Sequence, residues 1–320
     1  MSITTTTESI HPPSRRRAAL APPASRIPRD DPERRATWLG AAGLGAMLAV
    51  LYAANLRHFV YTWSSDDNYT HGFLVPLLSL YFARESLRQG PIEKKGGGVL
   101  GVGLLSASIL AKLATILVPV GIVGDLGFIV GIAGICALVG GRSALGRFGF
   151  AIAFLVFMVP LPVALYTSLA SPLQLMVSRL GSAILNAIGI PVLCEGNMMT
   201  LPGGTRMFVA EACSGMRQLT GFLALTTAVA YLSSRPAWHR AVLVMSSIPI
   251  AMTANVLRVT LTGCIMHTLD PKYASGNFHT IEGLLMMAVG LGLLKLESVA
   301  LTVLSTPGRS LAKVPAPSVA

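Results

Sequence analysis

Long apolar stretches decide what this chain can fold into. From residue 37 onward, eight segments have an apolar length near the roughly 20 residues that a helix needs to cross a bilayer. They must be helical, because an open strand leaves its backbone polar groups unpaired in lipid. Only 12% of the residues are charged, against about 25% in an average soluble domain. The sequence therefore predicts an all-α polytopic membrane helix bundle with about eight transmembrane helices, at 37–56, 69–84, 98–119, 124–140, 147–166, 214–233, 241–265 and 280–304.

Basic residues predict the orientation of these spans. Residues 1–36 hold seven arginines and six prolines, which is typical of a disordered basic cytoplasmic tail. With this tail inside, 17 of the 25 Lys and Arg fall in cytoplasmic segments, as the positive-inside rule expects. The span at 69–84 is short and contains Pro76, but making it re-entrant would weaken this bias. We expect one membrane domain over 37–305 and a disordered cytoplasmic C-terminal tail over 306–320.

The net charge of +11 comes from these loops and tails. No basic stretch is interleaved with aromatic residues, so a nucleic-acid partner is not expected. The four cysteines form no CxxC pair and no zinc-type Cys/His spacing. The sequence therefore predicts no metal site and no cofactor.

The longest predicted external segment is 167–213. Its first half, 168–190, places apolar residues at roughly helical spacing among polar ones, which predicts an amphipathic helix at the membrane interface. Its second half, 191–212, contains Gly and Pro and is typical of a short hairpin or loop.

Polar residues at the outer ends of three predicted spans form a possible catalytic group. Cys213 begins the sixth span from the outside, Arg258 lies in the outer half of the seventh, and His279 begins the eighth. Nucleophilic acyl transfer uses a thiolate for attack, an imidazole for proton transfer and a cation for the oxyanion. A helix N-terminus and nearby cations would also favour the thiolate. The spacing therefore indicates a possible acyl-transfer site at the outer face.

Each of these residues also has a structural interpretation. A cysteine in a membrane helix usually serves as a small apolar residue. Cys194 and Cys213 could form a disulfide in an oxidising compartment. Arg258 could extend to the interface, and His279 could merely mark a helix end. Spacing alone leaves the catalytic and structural interpretations open.

Four segments resemble the motifs of the exosortase/archaeosortase family. Glu211-Ala212-Cys213-Ser214-Gly215-Met216-Arg217 resembles its nucleophile motif, and Asn255-Val256-Leu257-Arg258-Val259 resembles its arginine motif. His279, followed by Gly283, resembles its histidine motif. Asp67-Asn68-Tyr69-Thr70-His71-Gly72, followed by Val75-Pro76, resembles its early Tyr-x-His-Gly signature. These matches occur in order and cover about 60–290 of the chain.

The resemblance implies a membrane cysteine endopeptidase/transpeptidase, an exosortase-type hydrolase. Such an enzyme would cleave and sort proteins with a C-terminal PEP-CTERM-like signal at the outer face of the bacterial inner membrane, through a thioester. It implies Cys213 as nucleophile, His279 as acid/base and Arg258 as oxyanion stabiliser. Archaeal members typically have Arg at the histidine position, so His279 indicates the bacterial branch. The possible supporting residues are Glu211, Ser214, Gly215, Arg217, Asn255, Tyr69 and His71.

The implied partners are membrane-anchored protein substrates with a C-terminal sorting signal, together with membrane lipid. The alternative from another class is a polytopic transporter or permease with structural cysteines, since intramembrane polar residues also mark transport sites. No inverted repeat is evident, and the polar residues group at the outer face instead of the midplane. Dependence of function on one reactive cysteine would separate the two.

Overall fold

The computed structural model describes residues 32–90, 92, 96–118, 120–209, 216–269 and 277–305. The described residues divide into two units at Gly40, and the first of these units is described only over 32–40, within the first helix. The predicted tails, 1–36 and 306–320, fall almost wholly outside the described residues, and the domain boundaries stay predictions. The helices are α1 (Pro32–Leu51), α2 (Ala53–Ser65), α3 (Leu74–Leu87), α4 (Gly98–Leu117), α5 (Gly121–Phe154), α6 (Val163–Ala187), α7 (Met216–Leu232), α8 (Ala237–Thr268) and α9 (Asn277–Ser305).

Four of the described helical segments are long and apolar enough to cross a membrane: Gly98–Leu117, Gly121–Met158, Ala237–Thr268 and Leu285–Val303. A fifth is added if Arg35–Leu51 and Ala53–Ser65, bent by 70°, form one broken span. The prediction of a helical membrane protein is therefore confirmed, whereas the described residues do not provide eight separate spans of this length.

Two of the predicted boundaries differ from the structure. The predicted span 69–84 is a 3₁₀ segment, Asp67–Phe73, followed by α3 of 14 residues. At 1.5 Å per residue α3 is about 21 Å long, less than the roughly 30 Å of a bilayer core. The predicted span 124–140 and the first half of 147–166 are joined in α5, which breaks at Gly141 with a φ of 77°. A positive φ favours glycine, so Gly141 replaces the loop that we expected there. The second half of 147–166 is a 3₁₀ turn, Leu155–Met158, and the start of α6.

Small residues bring α4 and the first half of α5 together. A Cβ added to Gly101 would lie 2.6 Å from the backbone nitrogen of Leu138, so the two backbones are nearly in contact. Beside the start of α4, the N–H of Arg142 donates to the carbonyl of Gly96 at 3.0 Å. Close packing through small residues is the usual way in which membrane helices associate. This packing and the hydrogen bond from Arg142 hold the break in α5 next to the beginning of α4.

Four arginines, Arg84, Arg88, Arg142 and Arg147, lie on the segments at one end of the bundle. Arg147 Nη1 donates to the carbonyls of Ser86 (3.0 Å) and Gly90 (3.3 Å). The Ser86 and Tyr231 hydroxyls lie 3.3 Å apart, which brings the end of α7 to the same place. We call the described residues of 84–97 and 141–147, together with Tyr231, the basic end. The opposite ends of the same helices carry the residues of the candidate site.

The segment between α5 and α7 forms one helix and a small sheet. The helix predicted at 168–190 is present as α6, Val163–Ala187. The predicted hairpin is present as β1 (Leu193–Glu195) and β2 (Met198–Thr200), and β3 (Arg206–Phe208) extends it into a three-stranded antiparallel sheet of order β1-β2-β3. The sheet and α6 share one apolar cluster with α8, which includes Val177, Leu185, Met199, Met207 and Val259. β3 ends at Phe208, eight residues before Met216, where the described part of α7 begins.

Candidate functional site

The 3₁₀ segment Asp67–Phe73 is fastened to the turn that follows α5. The Tyr69 hydroxyl accepts a hydrogen bond from the N–H of Leu161 at 3.1 Å. His71 Nε2 lies 3.2 Å from the carbonyl oxygen of Phe157. A carbonyl oxygen only accepts, so Nε2 carries the proton and donates. Both predicted supporting residues therefore use a polar atom to hold the backbone of 157–161.

Burial keeps both of these side chains neutral. They lie between α2 and α3, outside the span-length helices. Burial raises the pKa of the Tyr69 hydroxyl and lowers the pKa of His71, in spite of the bond to the Phe157 carbonyl. Removing either charged form from water is unfavourable, which is the physical cause of both directions. Neutral groups suit a role in holding the backbone.

Packing explains why the Tyr-x-His-Gly signature has a glycine, Gly72, at its last position. A Cβ on Gly72 would overlap the indole of Trp63. The indole is only 7% exposed, and its Nε1–H donates to the carbonyl of Met158 at 3.0 Å. The ring also stacks on Phe59 at a centroid distance of 5.8 Å. Only glycine leaves room for this arrangement.

An ion pair joins the 3₁₀ segment to the start of α7. Arg217 Nη2 lies 2.8 Å from Asp67 Oδ2, and the two side chains are 45% and 75% exposed. Exposed pairs of this kind contribute at most about 1 kcal/mol, so its main effect is positional. Sequence reasoning missed Asp67 as a partner, because no spacing rule pairs residues so far apart. We call the described residues 66–73, 157–162 and 216–217 the motif end.

A second contact joins the arginine motif on α8 to the histidine motif on α9. Arg258 is 8% exposed, and Asn255, one turn earlier, is 4% exposed. A Cβ added to Gly283 would lie 3.8 Å from Arg258 Nη2, so the guanidinium packs directly on the α9 backbone. Gly283 stands four residues after His279, on the same face of the helix. Arg258 therefore lies against the face of α9 that includes position 279. His279 stands on that face one turn closer to the start of α9 than Gly283 does.

The start of α7 lies at the level of this contact. A Cβ on Gly290 of α9 would lie 3.2 Å from the ring of Phe222 on α7. α7 precedes α8 in a hairpin and α9 follows it, so both α7 and α9 run antiparallel to α8. α7 and α9 therefore run parallel to each other. Met216 is six residues before Phe222, and six residues before Gly290 is position 284. The first turn of α7 thus lies level with Gly283 and Arg258.

Part of the predicted site lies outside the described residues. This applies to Glu211, Cys213, Ser214 and Gly215, and the side chain of His279 is not described either. The structure therefore brings together Arg258, the start of α7 and the first turns of α9, and leaves the placement of these other side chains as a prediction.

Of the two cysteines in the possible disulfide between Cys194 and Cys213, Cys194 lies in the described part of the chain. Cys194 carries a free thiol, whose Sγ lies 3.6 Å from the carbonyl oxygen of Gly196. The structure thus gives no support to a structural role for this pair. In the described part of the chain, no three His, Cys, Asp or Glu side chains are grouped so that they could hold a metal ion.

A cavity of about 500 Å³ opens beside the 3₁₀ segment, and Asp66, Tyr69 and Tyr166 are among its lining residues. Asp125 also lines it and accepts a hydrogen bond from Asn55 Nδ2 at 2.7 Å. The motif end therefore contains open volume next to the segment that carries Tyr69.

Comparison with known proteins identifies a family. A family model described as transmembrane exosortase matches residues 63–296, from the end of α2 into α9. No curated protein and no solved structure matches the chain. The matched region contains the 3₁₀ segment, the start of α7, Arg258 and His279, and it covers well over half of the chain. The chain belongs to the transmembrane exosortase family.

Proposed function

We propose that this protein is a membrane-embedded cysteine endopeptidase/transpeptidase. It would cleave and sort membrane-anchored proteins that carry a C-terminal PEP-CTERM-like signal, through a thioester acyl-enzyme. The observation that carries the proposal is the packing of Arg258 on Gly283, one turn from His279, at the level where α7 begins. Family membership supports the same conclusion.

The first half-reaction forms the acyl-enzyme. His279 takes the proton of the Cys213 thiol, and the thiolate attacks the scissile carbonyl carbon. Arg258 stabilises the resulting oxyanion, as a buried cation can do strongly in a site of low dielectric. The C–N bond then breaks, a C–S thioester bond forms, and the histidinium gives its proton to the leaving amine.

The second half-reaction releases the acyl group. An acceptor hydroxyl or amine, or water, attacks the thioester carbonyl while His279 removes its proton. The C–S bond breaks and the Cys213 thiol is restored, so the cycle needs no oxidant and no cofactor. An acceptor from membrane lipid or another molecule would give transpeptidation, and water would give proteolysis.

Helix α7 suits the role of Cys213. The sequence predicts that Cys213 begins this helix, and the described part of the helix starts three residues later, at Met216. A helix N-terminus carries about half a positive charge, which stabilises a thiolate nearby. Arg217 adds a full positive charge within the first turn, although Asp67 offsets part of it.

The proposed orientation places the basic end in the cytoplasm and the motif end outside. Arg84, Arg88, Arg142 and Arg147 belong to the basic end, which fits the positive-inside rule. The N-terminus would then be cytoplasmic and the chain would cross the bacterial inner membrane about eight times, with α3 and the two parts of α5 as separate segments. The active site would lie at the periplasmic face, where α6 and the small sheet would rest.

Processing of a co-expressed reporter with a PEP-CTERM-like tail tests the proposal. We expect Cys213→Ala, Cys213→Ser, Arg258→Ala and His279→Ala each to abolish processing at wild-type protein levels. Cys136→Ala and Cys264→Ala are the matched controls and should process normally, since these thiols lie on α5 and α8 and pack against apolar clusters. Full processing by Cys213→Ala would overturn the proposal. It would favour a transporter, which need not depend on one cysteine.

A further inference from the structure

An open groove runs along the seam between α8 and α9. Its volume is about 430 Å³. Ser246 Oγ donates to Glu297 Oε2 at 2.5 Å across this seam. Both helices also carry predicted catalytic residues, Arg258 on α8 and His279 on α9. The groove is lined by Ser246, Pro249, Ile250, Thr253, Leu293, Leu296, Glu297 and Ala300.

Glu297 is the unusual member of this lining. It lies within the span-length segment Leu285–Val303, and it is the single charged residue among the described residues that line the groove. A carboxylate at membrane depth is costly, and such residues usually pair with an opposite charge or mark a functional site. The described partner, a serine hydroxyl, is neutral. The remaining charge is complementary to a cationic group that enters the groove from outside this chain.

Distances along α8 and α9 show how far Glu297 lies from the candidate site. Glu297 stands 14 residues beyond Gly283 on α9, which corresponds to about 21 Å along the helix. Ser246 stands 12 residues before Arg258 on α8, or about 18 Å. The two values agree, because the helices are antiparallel. The groove lining ends at Thr253, five residues before Arg258 on α8. A helix that lies in the groove and continues along the same seam would reach from the level of Glu297 to that of Arg258, across most of a bilayer core of about 30 Å.

We infer that this groove receives the transmembrane helix of the protein substrate, and that Glu297 pairs with a basic residue of that helix. The inference rests on the proposed function and its orientation. The outer end of the docked helix then lies beside Arg258, where cleavage takes place. The basic residue lies about 14 residues deeper, in the cytoplasmic half, where membrane proteins concentrate Lys and Arg.

Site-specific photocrosslinking in the full-length chain tests the docking. A photoreactive residue replaces Leu296 in the groove, or Leu110 on α4 as a matched control, because the two side chains are 66% and 65% exposed. The background is Cys213→Ala, so that an uncleaved reporter accumulates whose transmembrane helix carries one arginine in its cytoplasmic half. We expect an enzyme–reporter adduct from position 296 and none from 110. Adducts between two copies of this chain, or with lipid alone, would overturn the inference.

A charge exchange tests the role of Glu297. We expect Glu297→Lys to slow processing of the arginine reporter at least tenfold, and a reporter with glutamate at that position to recover it. Glu297→Gln, which keeps the hydrogen bond to Ser246, gives the same direction if the lysine variant folds poorly. Lys295→Gln, two residues away on the opposite helix face, should process normally. Processing of the arginine reporter at the wild-type rate by both Glu297 variants would overturn the inference.

The two proposals can fail separately. If the wild-type protein cleaves no reporter, the proposed activity fails, while the crosslinks still decide whether the groove binds the helix. If the wild-type protein cleaves the reporter and position 296 yields no adduct with it, the groove assignment alone is wrong.

Discussion

Replacing Gly72 with alanine tests how the motif end is built. The added Cβ would overlap the Trp63 indole, and that ring has little room to move. It is 7% exposed, stacks on Phe59 and forms a 3.0 Å hydrogen bond to the carbonyl of Met158. Any shift of the indole therefore disturbs the attachment of α2 to the turn after α5.

The magnitude follows from these contacts. Forcing a methyl group into a packed site costs about 1–3 kcal/mol, and losing the indole hydrogen bond costs about 1 kcal/mol more. We therefore expect Gly72→Ala to lower the free energy of unfolding by roughly 2–4 kcal/mol. With about 2–4 °C lost per kcal/mol in proteins near this size, Tm should fall by on the order of 10 °C.

Thermal unfolding of the purified protein in detergent, followed by tryptophan fluorescence, measures this effect. Gly103→Ala on α4 is the matched control, because its added Cβ meets nothing within 4 Å. Alanine is also the better helix former, so this Tm should stay the same or rise slightly. Trp63→Phe should recover part of the loss in the Gly72→Ala background, since the smaller ring makes room. A Gly72→Ala protein that melts together with the wild type would refute the steric reasoning.

Three further predictions concern Tyr69, Gly283 and His71. Tyr69→Phe removes the acceptor for the Leu161 N–H and should cost about 1 kcal/mol of stability, measured by the same melting assay. Gly283→Ala should process the reporter normally, since its Cβ would lie at an ordinary 3.8 Å from Arg258, whereas Gly283→Leu should displace the guanidinium and slow processing at least about tenfold. Burial lowers the pKa of His71 below its ordinary value, so the unfolded chain binds the proton first on acidification. The stabilisation should be complete above about pH 6.5 and decline below it, and His71→Gln should flatten this dependence in melting curves.

Most helices were predictable, because apolar length is a strong signal in a membrane chain. The prediction at 98–119 agrees closely with α4, and the hairpin before α7 was expected from its Gly and Pro residues. The break between α1 and α2 and the 3₁₀ segment were not predictable. Around Tyr52 the residues are apolar enough to continue a span. In the polar segment Asp67–Phe73, tertiary contacts such as Tyr69 to Leu161 decide where the chain turns.

The sequence predicted the membrane face at which the candidate site residues lie, but it did not predict the contacts between their side chains. Topology alone assigned Arg258 and His279 to one face, and the packing of Arg258 on Gly283 is in keeping with that prediction. The pairing of Asp67 with Arg217 could not be found in this way. It depends on the position of the 3₁₀ segment beside α7, which follows from packing between helices that are distant in sequence.

The early signature has a different physical role from the one proposed for the later motifs. A proton-transfer group needs a nitrogen that is free to reach the substrate, yet the Nε2–H of His71 is directed at the Phe157 carbonyl and the Tyr69 hydroxyl holds Leu161. These bonds fix the turn that leads into α6, while Asp67 holds the first turn of α7. The 3₁₀ segment thus braces both ends of the chain segment 162–216, which carries Cys213. Substitutions at Tyr69 and His71 should accordingly lower thermal stability and processing together, whereas Cys213→Ala should abolish processing with little change in Tm.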